Sequence, residues 1–425
     1  MNKVGKHYRT INVKPQKVAP EQLTLTMDIP EEVVLTLPQY PGDESVPVVR
    51  VGDMVRKGQV IAKGEETMPV YATVSGIVTE VGIEQDSVAV TIESDRKDKA
   101  VENIDVPRCD SRQGFLAQVR RSGVMNNYLP LFQILDREDL KGLFVIGTQL
   151  EPMLTSAYRT VVEDMDDIMR GLQVMTEYLD LRVVIVCLQD INSDLAEEMM
   201  FKASDYGLAG KLRIRLIKGR YVQRDRDIFT LEMTGRHPEE LKYFTLLRVS
   251  TVAELGNFFN TGMPCITKRI TVGGNLVETP CNIRVPVGTR IRDVMEFLGG
   301  YIHDPRKIVI SGPMQGYTVP TDRMPVTKNM DSIIAFEGKD SVPPKMKECI
   351  RCGTCRTGCP MNLSPVSIEK AYNRGRIRDL LRLRVIDCIR CGNCTYICPA
   401  KRPLKEACEK SLELLKEAAY DGKRI

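Results

Sequence analysis

Cys349-Ile350-Arg351-Cys352-Gly353-Thr354-Cys355-Arg356-Thr357-Gly358-Cys359-Pro360 decides how this chain is read, because it returns as Cys388-Ile389-Arg390-Cys391-Gly392-Asn393-Cys394-Thr395-Tyr396-Ile397-Cys398-Pro399. Each half is C-x2-C-x2-C-x3-C-P, the ligand spacing of a [4Fe–4S] cubane. Two-residue gaps let three thiolates curl round one core. The glycines admit close backbone approach, with amides aimed at sulfur. The fourth cysteine, held before proline, points toward the other cluster. The spacing therefore predicts one [4Fe–4S] cluster on Cys349, Cys352, Cys355 and Cys398, and a second on Cys388, Cys391, Cys394 and Cys359. Zinc ribbons are built from two C-x2-C pairs, not from runs of four cysteines ending in proline.

The rest of the composition agrees with a soluble redox protein. A chain of 425 residues is long enough for about three or four domains. Hydrophobic content of 43% and charged content of 27% are ordinary for a globular protein. A net charge of +4 carries no nucleic-acid footprint. Of 13 cysteines, eight lie in the two runs; Cys109, Cys187, Cys265, Cys281 and Cys408 are scattered, unlike a disulfide scaffold. Cluster ligands must stay thiolates, so the expected compartment is the reducing cytoplasm. The polar N-terminus lacks the apolar core of a secretory signal. No apolar run approaches the ~20 residues of a membrane helix. Attachment to the inner face of a membrane is expected only through partner subunits.

Upstream, the pattern changes several times. Residues 1–45 hold early prolines and one apolar stretch, Val33–Leu37, read as an opening strand among loops. Val49–Ile61 and Pro69–Val81 set valines at strand spacing with glycine at turns. They are similar to the two halves of a biotinyl/lipoyl-type barrel-sandwich. Carrier domains of that type modify a lysine in the hairpin between the halves. Here the hairpin is Lys63–Met68, without the flanking Met or Asp, so a structural barrel with no prosthetic group is expected.

From 106 to 260, strands at Phe144–Ile146, Val183–Val186 and Leu212–Ile217 alternate with helical patterns near Tyr158–Leu179 and Leu195–Tyr206, which predicts a Rossmann-like α/β domain. A nucleotide site would need a glycine-rich strand–helix turn. None is present: Ser122–Pro130 has one glycine, and Gly273-Gly274 sits in a hairpin context. Strand, hairpin and a helix over Ile291–Leu298 suggest a small β-grasp module, and Pro343-Pro344 marks the linker to the cluster domain. A last helix near Lys405–Ala419 carries Leu412, Leu415 and Ala419 at helical spacing. The expected division is 1–105, 106–260, 261–340, 341–405 and 406–425.

Taken in order, barrel-sandwich, α/β domain, β-grasp and two cysteine runs, the chain resembles the C subunit of the Rnf electron-transport complex. The pieces that carry the resemblance are Pro47–Asp53, Thr234–Arg236, Arg269–Val272, Gly312–Gly316 and Cys388–Pro399. The family's wider circle includes cobalamin-reducing and proline-reductase-associated electron-transfer proteins. The resemblance implies an SLBB-like β-grasp module and an α/β domain like the flavin domain of respiratory complex I.

This sequence departs from the family where the family binds flavin mononucleotide (FMN) and NADH. The family's Gly-Gly-Ala-Gly-Phe-Pro stretch falls on Met125, Asn126, Asn127, Tyr128, Leu129 and Pro130, so all three glycines are gone. Its following lysine is Ile134, its Asn-Gly-Ala-Glu-Cys-Glu-Pro becomes Ile146–Pro152, and Ser250 stands for a glycine. The family's N-terminal Gly-His motif is missing too. Side chains at former glycines fill the room a phosphate or isoalloxazine needs, and Ile134 removes a cation. FMN and NADH binding are therefore not expected. The surviving Glu151 and Arg159 are read as a structural ion pair or solvated surface.

The resulting expectation is an electron-transfer subunit of an anaerobic redox complex, with no general acid, base or nucleophile. Its alternatives are a working NADH-oxidising flavin subunit and a non-redox scaffold with structural clusters. The segment Ser367–Val385 carries Lys370, Arg374, Arg376, Arg378, Arg382 and Arg384 against Glu369 and Asp379. Such a face compensates cluster charge, or steers an acidic carrier such as a ferredoxin or flavodoxin, or an acidic partner subunit.

Overall fold

The computed structural model describes residue 11 and residues 21–84, 87–102, 104–148, 151–217, 221, 228–230 and 241–420, the side chains of 419 and 420 apart. Thr234–Arg236, Gln149 and Leu150 lie outside these residues, as does the side chain of Ala419.

The barrel-sandwich is built on β1 (Glu32–Leu37), β2 (Val60–Lys63), β3 (Gly76–Glu84) and β4 (Ser87–Ser94). β4 lies between β1 and β3, and β3 pairs onward with Met54–Val55. A second sheet sets β2 between Val46–Pro47 and Val70–Tyr71. Val33, Leu35, Ile61, Val78 and Ile92 fill the space between the sheets. Val33–Leu37 is thus the strand expected, and its alternate residues enter the core. In the hairpin after β2, Thr67 Oγ1 accepts from the Gly64 amide at 2.8 Å, and Lys63 is exposed.

The α/β domain has four parallel strands: β5 (Gly142–Ile146), β6 (Val183–Gln189), β7 (Leu212–Ile217) and β8 (Phe244–Arg248), in the order β7-β6-β5-β8. Three were expected; β8 was not. Its helices are α1 (Arg112–Ser122), α2 (Ser156–Glu163), α3 (Met165–Tyr178), α4 (Ser193–Lys202) and α5 (Val249–Thr261). The helical pattern expected over Tyr158–Leu179 breaks at Asp164 into α2 and α3. Glycines let α3 and α5 touch: a Cβ at Gly256 would fall 1.8 Å from the Asp167 carbonyl oxygen. Strand order reverses between β5 and β8, which opens a crevice outside their carboxyl ends.

The β-grasp sheet holds β9 (Thr267–Gly273), β10 (Cys281–Pro286), β11 (Lys307–Ile310) and β12 (Ser332–Phe336), packed on α6 (Ile291–Phe297). Its order is Leu25–Thr26, β10, β9, β12, β11, Tyr317–Val319. Leu25–Thr26, from the first segment of the chain, pairs parallel with Ile283 and Arg284 of β10. In return Val287 packs into the barrel core.

The C-terminal domain is helical: α7 (Thr354–Thr357), α8 (Pro365–Tyr372), α9 (Ile377–Arg382), α10 (Asn393–Tyr396) and α11 (Leu404–Tyr420). α11 buries Leu404, Ala407, Cys408, Ser411 and Leu415, a stripe at helical spacing that turns it back on the domain. Among the described residues no helix is long and apolar enough to cross a membrane.

Candidate metal centre and the crevice beside it

The two cysteine runs repeat in backbone as well as sequence. Arg351 and Arg390 both have φ of 56°, and Gly353 and Gly392 have φ of 75° and 80°. Left-handed residues before each one-turn helix fold the amides into a concave nest suited to anionic sulfur. The halves interlock tightly: a Cβ at Gly358 would lie 2.1 Å from Ile397 Cδ1, and Asn393 Nδ2 donates to the Gly358 carbonyl at 3.1 Å.

The eight cysteines gather in two groups of four. Cys349, Cys352, Cys355 and Cys398 line a cavity of about 170 Å³, walled also by Val366, Ala400 and Leu404. Cys359, Cys388, Cys391 and Cys394 line a tighter one of about 20 Å³, with Met361, Leu363 and Pro365. Each group takes three sulfurs from one run and one from the other. No carboxylate or imidazole lines either cavity, so the donor chemistry fits an iron–sulfur cluster and no hard cation.

Burial pushes the thiols of Cys355 and Cys359 up, and that of Cys391 up to about 12. Iron charge is what would hold such buried sulfurs as thiolates. The Thr354 hydroxyl, 3.1 Å from Cys352 Sγ, draws that exposed thiol down. The tighter cavity has a fifth sulfur. Cys408 of α11 lines it with Cys388 and draws that thiol down. Sequence alone had left Cys408 among the scattered cysteines.

In the crevice beyond β5 and β8, side chains fill the space. Met125 and Asn126 are buried. Asn126 Oδ1 accepts from the Arg248 amide at 3.0 Å and the Thr251 hydroxyl at 3.1 Å, while its Nδ2 donates to the Leu246 carbonyl at 3.1 Å. One amide side chain thus ties the end of β8 to the first turn of α5. Arg248 pairs with Asp331 at 2.6 Å, bringing the β-grasp module across the same opening. Lys328 donates to the Gly123 carbonyl at 2.8 Å, and burial pushes its ammonium below the usual lysine range. A neighbouring cavity of about 270 Å³ between α2, α5 and β9 is lined by charges that pair with one another, including Lys268–Glu254 at 3.0 Å and Arg269–Asp164 at 2.7 Å.

Comparison with known proteins identifies three domains. Residues 10–97 match the RnfC barrel sandwich hybrid domain, 269–318 the SLBB domain, and 348–402 a 4Fe-4S dicluster domain. The C subunit of the proton-translocating ferredoxin:NAD(+) oxidoreductase complex of Clostridium ljungdahlii is 30% identical over 374 residues, covering 83% of this chain and 79% of that one. This chain belongs to the family of Rnf C subunits. Further members are the C subunit of the ion-translocating oxidoreductase complex of Rhodobacter capsulatus, 28% identical over 82% of this chain and 71% of that one, and the C subunit of the Na(+)-translocating ferredoxin:NAD(+) oxidoreductase complex of Acetobacterium woodii, 26% identical over 81% and 82%.

Two residues shared with the pattern of the Rnf C subunits behave differently from each other. Arg159 is a buried partner of Glu163 on α2, a structural ion pair. Glu151 is not solvated surface. It is buried, and its carboxylate accepts from the backbone amides of Met314 and Gln315 at 2.9 and 3.0 Å. The Tyr221 hydroxyl lies 3.3 Å from Glu151 Oε1 and donates to the Cys391 carbonyl at 2.7 Å. Lys405 donates to the Met314 carbonyl at 3.2 Å. Glu151, Tyr221 and the Gly312–Gly316 loop therefore seat the tighter cysteine group on the α/β and β-grasp domains. The signal in sequence was Glu151-Pro152 together with Gly312–Gly316, but their contact joins distant stretches.

Proposed function

We propose that this chain is an electron-transfer subunit of an Rnf-type redox complex, relaying electrons through two [4Fe–4S] clusters. One is held by Cys349, Cys352, Cys355 and Cys398; the other by Cys388, Cys391, Cys394 and Cys359. The observation that carries this reading is the crossed grouping of thiols in two cavities that no carboxylate or imidazole lines. A cubane supplies a one-electron couple with no proton or bond change. The residues around it hold the sulfurs, exclude water and offset negative charge, as Arg351, Lys370 and Arg402 do at one cavity and Arg390 and Lys405 at the other.

The α/β domain in this reading is a Rossmann-like scaffold and docking surface that no longer binds FMN or NADH. Support comes from Asn126, whose three hydrogen bonds use the end of the crevice that glycines would leave open. The finer division into barrel, α/β domain, β-grasp, dicluster segment 341–405 and terminal helix belongs to the same reading. So do a cytoplasmic place, attachment to the membrane through other subunits, and an acidic electron carrier or redox subunit as partner. The arginines of α9 that would steer such a carrier are exposed. Arg378 and Arg382 share this short helix, whereas Arg374 precedes it.

Anaerobic purification should give about eight iron atoms per chain, from two four-iron cubanes. Iron near four, or zinc in its place, sinks the two-cluster reading. The same sample should show a cluster spectrum without flavin bands, and NADH should not bleach it. Stoichiometric FMN, or rapid bleaching by NADH, would turn the conclusion to an NADH-oxidising flavin subunit.

A further inference from the structure

The internal repeat gives each cysteine run the same outer face, and among the described residues the chain covers only one of the two. In the second run Ile389 is half-buried and packs with Met314, Tyr221 and Ile228. A Cβ at Gly392 would already lie 3.0 Å from the Met314 carbonyl. That face is a docking face, and its occupant is the body of the protein itself. In the first run the equivalent Ile350 is 66% exposed, Cys352 is exposed, and nothing lies within 4 Å of a Cβ built on Gly353.

A single exposed isoleucine is ordinary on a protein surface. This one sits between two cluster ligands, at a position whose twin makes a protein–protein contact inside the same chain. Its surroundings are charged with one sign. Arg351 and Lys370 line the same cavity, and Lys347 is held beside it by hydrogen bonds with Ala400 and Arg402. Lys347, Arg351, Lys370 and Lys401 are all exposed, with Glu348 the nearby exposed carboxylate and Glu369 buried in its pair with Arg402. An apolar centre with a basic rim suits a transient contact with an acidic protein.

We propose that the Cys349–Gly353 loop is the electron port of this chain, and that an acidic redox protein docks over Ile350 to exchange electrons with the cluster on Cys349, Cys352, Cys355 and Cys398. The inference rests on the two-cluster reading above. Electron tunnelling falls steeply with distance, and this is the group with an exposed ligand. The other group lies under Tyr221, the Gly312–Gly316 loop and α11, and serves as the inner site. One electron crosses per encounter: one protein's cluster is oxidised as the other's is reduced, and no proton or bond changes hands. The α9 arginines act at longer range, on approach.

The test uses the holoprotein with an acidic bacterial ferredoxin carrying two [4Fe–4S] clusters. Affinity of the oxidised pair is measured by calorimetry and second-order electron transfer by stopped flow. Ile350→Glu is expected to lower both by about tenfold or more, because it places a carboxylate against an acidic partner, with iron content and both electron paramagnetic resonance signals unchanged. Lys370→Gln with Lys401→Gln, which leaves the ligand loop untouched, should lower both in the same direction and flatten their salt dependence. The port is wrong if these variants bind and react like the unsubstituted protein, or if Arg378→Gln with Arg382→Gln causes the larger loss. Missing iron or a missing cluster signal in the unsubstituted protein instead overturns the cluster reading itself.

Discussion

The dicluster segment and the β5–β8 crevice are both concave, and they treat backbone space in opposite ways. Around the cysteines, Gly353 and Gly392 keep left-handed turns open so that amides can face sulfur. In the crevice, Met125 and Asn126 are buried, and Asn126 fills its place with three hydrogen bonds. One region keeps room for an inorganic core; the other exchanges room for rigidity. On the reading proposed above, a family resemblance holds across most of a chain and still misleads about one of its sites, because three small residues decide whether a cofactor fits.

Four experiments bear on that contrast. The largest effect is expected from Cys359→Ala. It should remove about four iron atoms, those of the cubane held by Cys388, Cys391 and Cys394, and leave the other cluster's resonance in place. Loss of the sequence-adjacent cluster instead would show that the cavities do not report the ligation. Glu151→Ala comes next. Its buried carboxylate serves two amides, so unfolding should cost about 2–3 kcal/mol less by denaturant titration, and the inner cluster's resonance should broaden while the outer one stays sharp. An unchanged denaturation midpoint would mean the inner group is seated by other contacts.

Asn126→Gly should reopen the crevice at a cost of about 1–2 kcal/mol, because the Arg248 amide and Leu246 carbonyl lose their partner. Stability equal to that of the unsubstituted protein would mean the side chain is not what closes the space. Smallest is Cys408→Ala. Without the thiol that shares its cavity, the inner cluster should titrate at a more negative potential and the outer one should not move, whereas Cys408→Ser should retain most of the original value. Equal shifts at both clusters would make Cys408 a packing residue only.

What could be read from sequence follows the range of the interactions. The cysteine groups were legible because the spacing is local and occurs twice. The strands of the α/β domain at Phe144, Val183 and Leu212 were legible as short apolar runs. β8 was not, since Phe244–Arg248 passes straight into α5 with no turn residue to mark it. The burial of Glu151 was not legible, because its acceptor role depends on amides at Met314 and Gln315. Cys408 was overlooked because helical spacing explains it as core, and only the fold brings it against Cys388.

The short strand at Leu25–Thr26 has a consequence for how the chain is made. Its neighbours in the sheet, Ile283 and Arg284, emerge from the ribosome long after it does. The barrel likewise lacks Val287 until then. Synthesis delivers domains in order and they generally fold as units, but here the first domain cannot be finished, nor the β-grasp sheet closed at that edge, before the third has been translated. Contacts so distant in sequence are slow to form. The cysteine runs follow β12 in the chain, so they are translated only after every strand of that sheet exists.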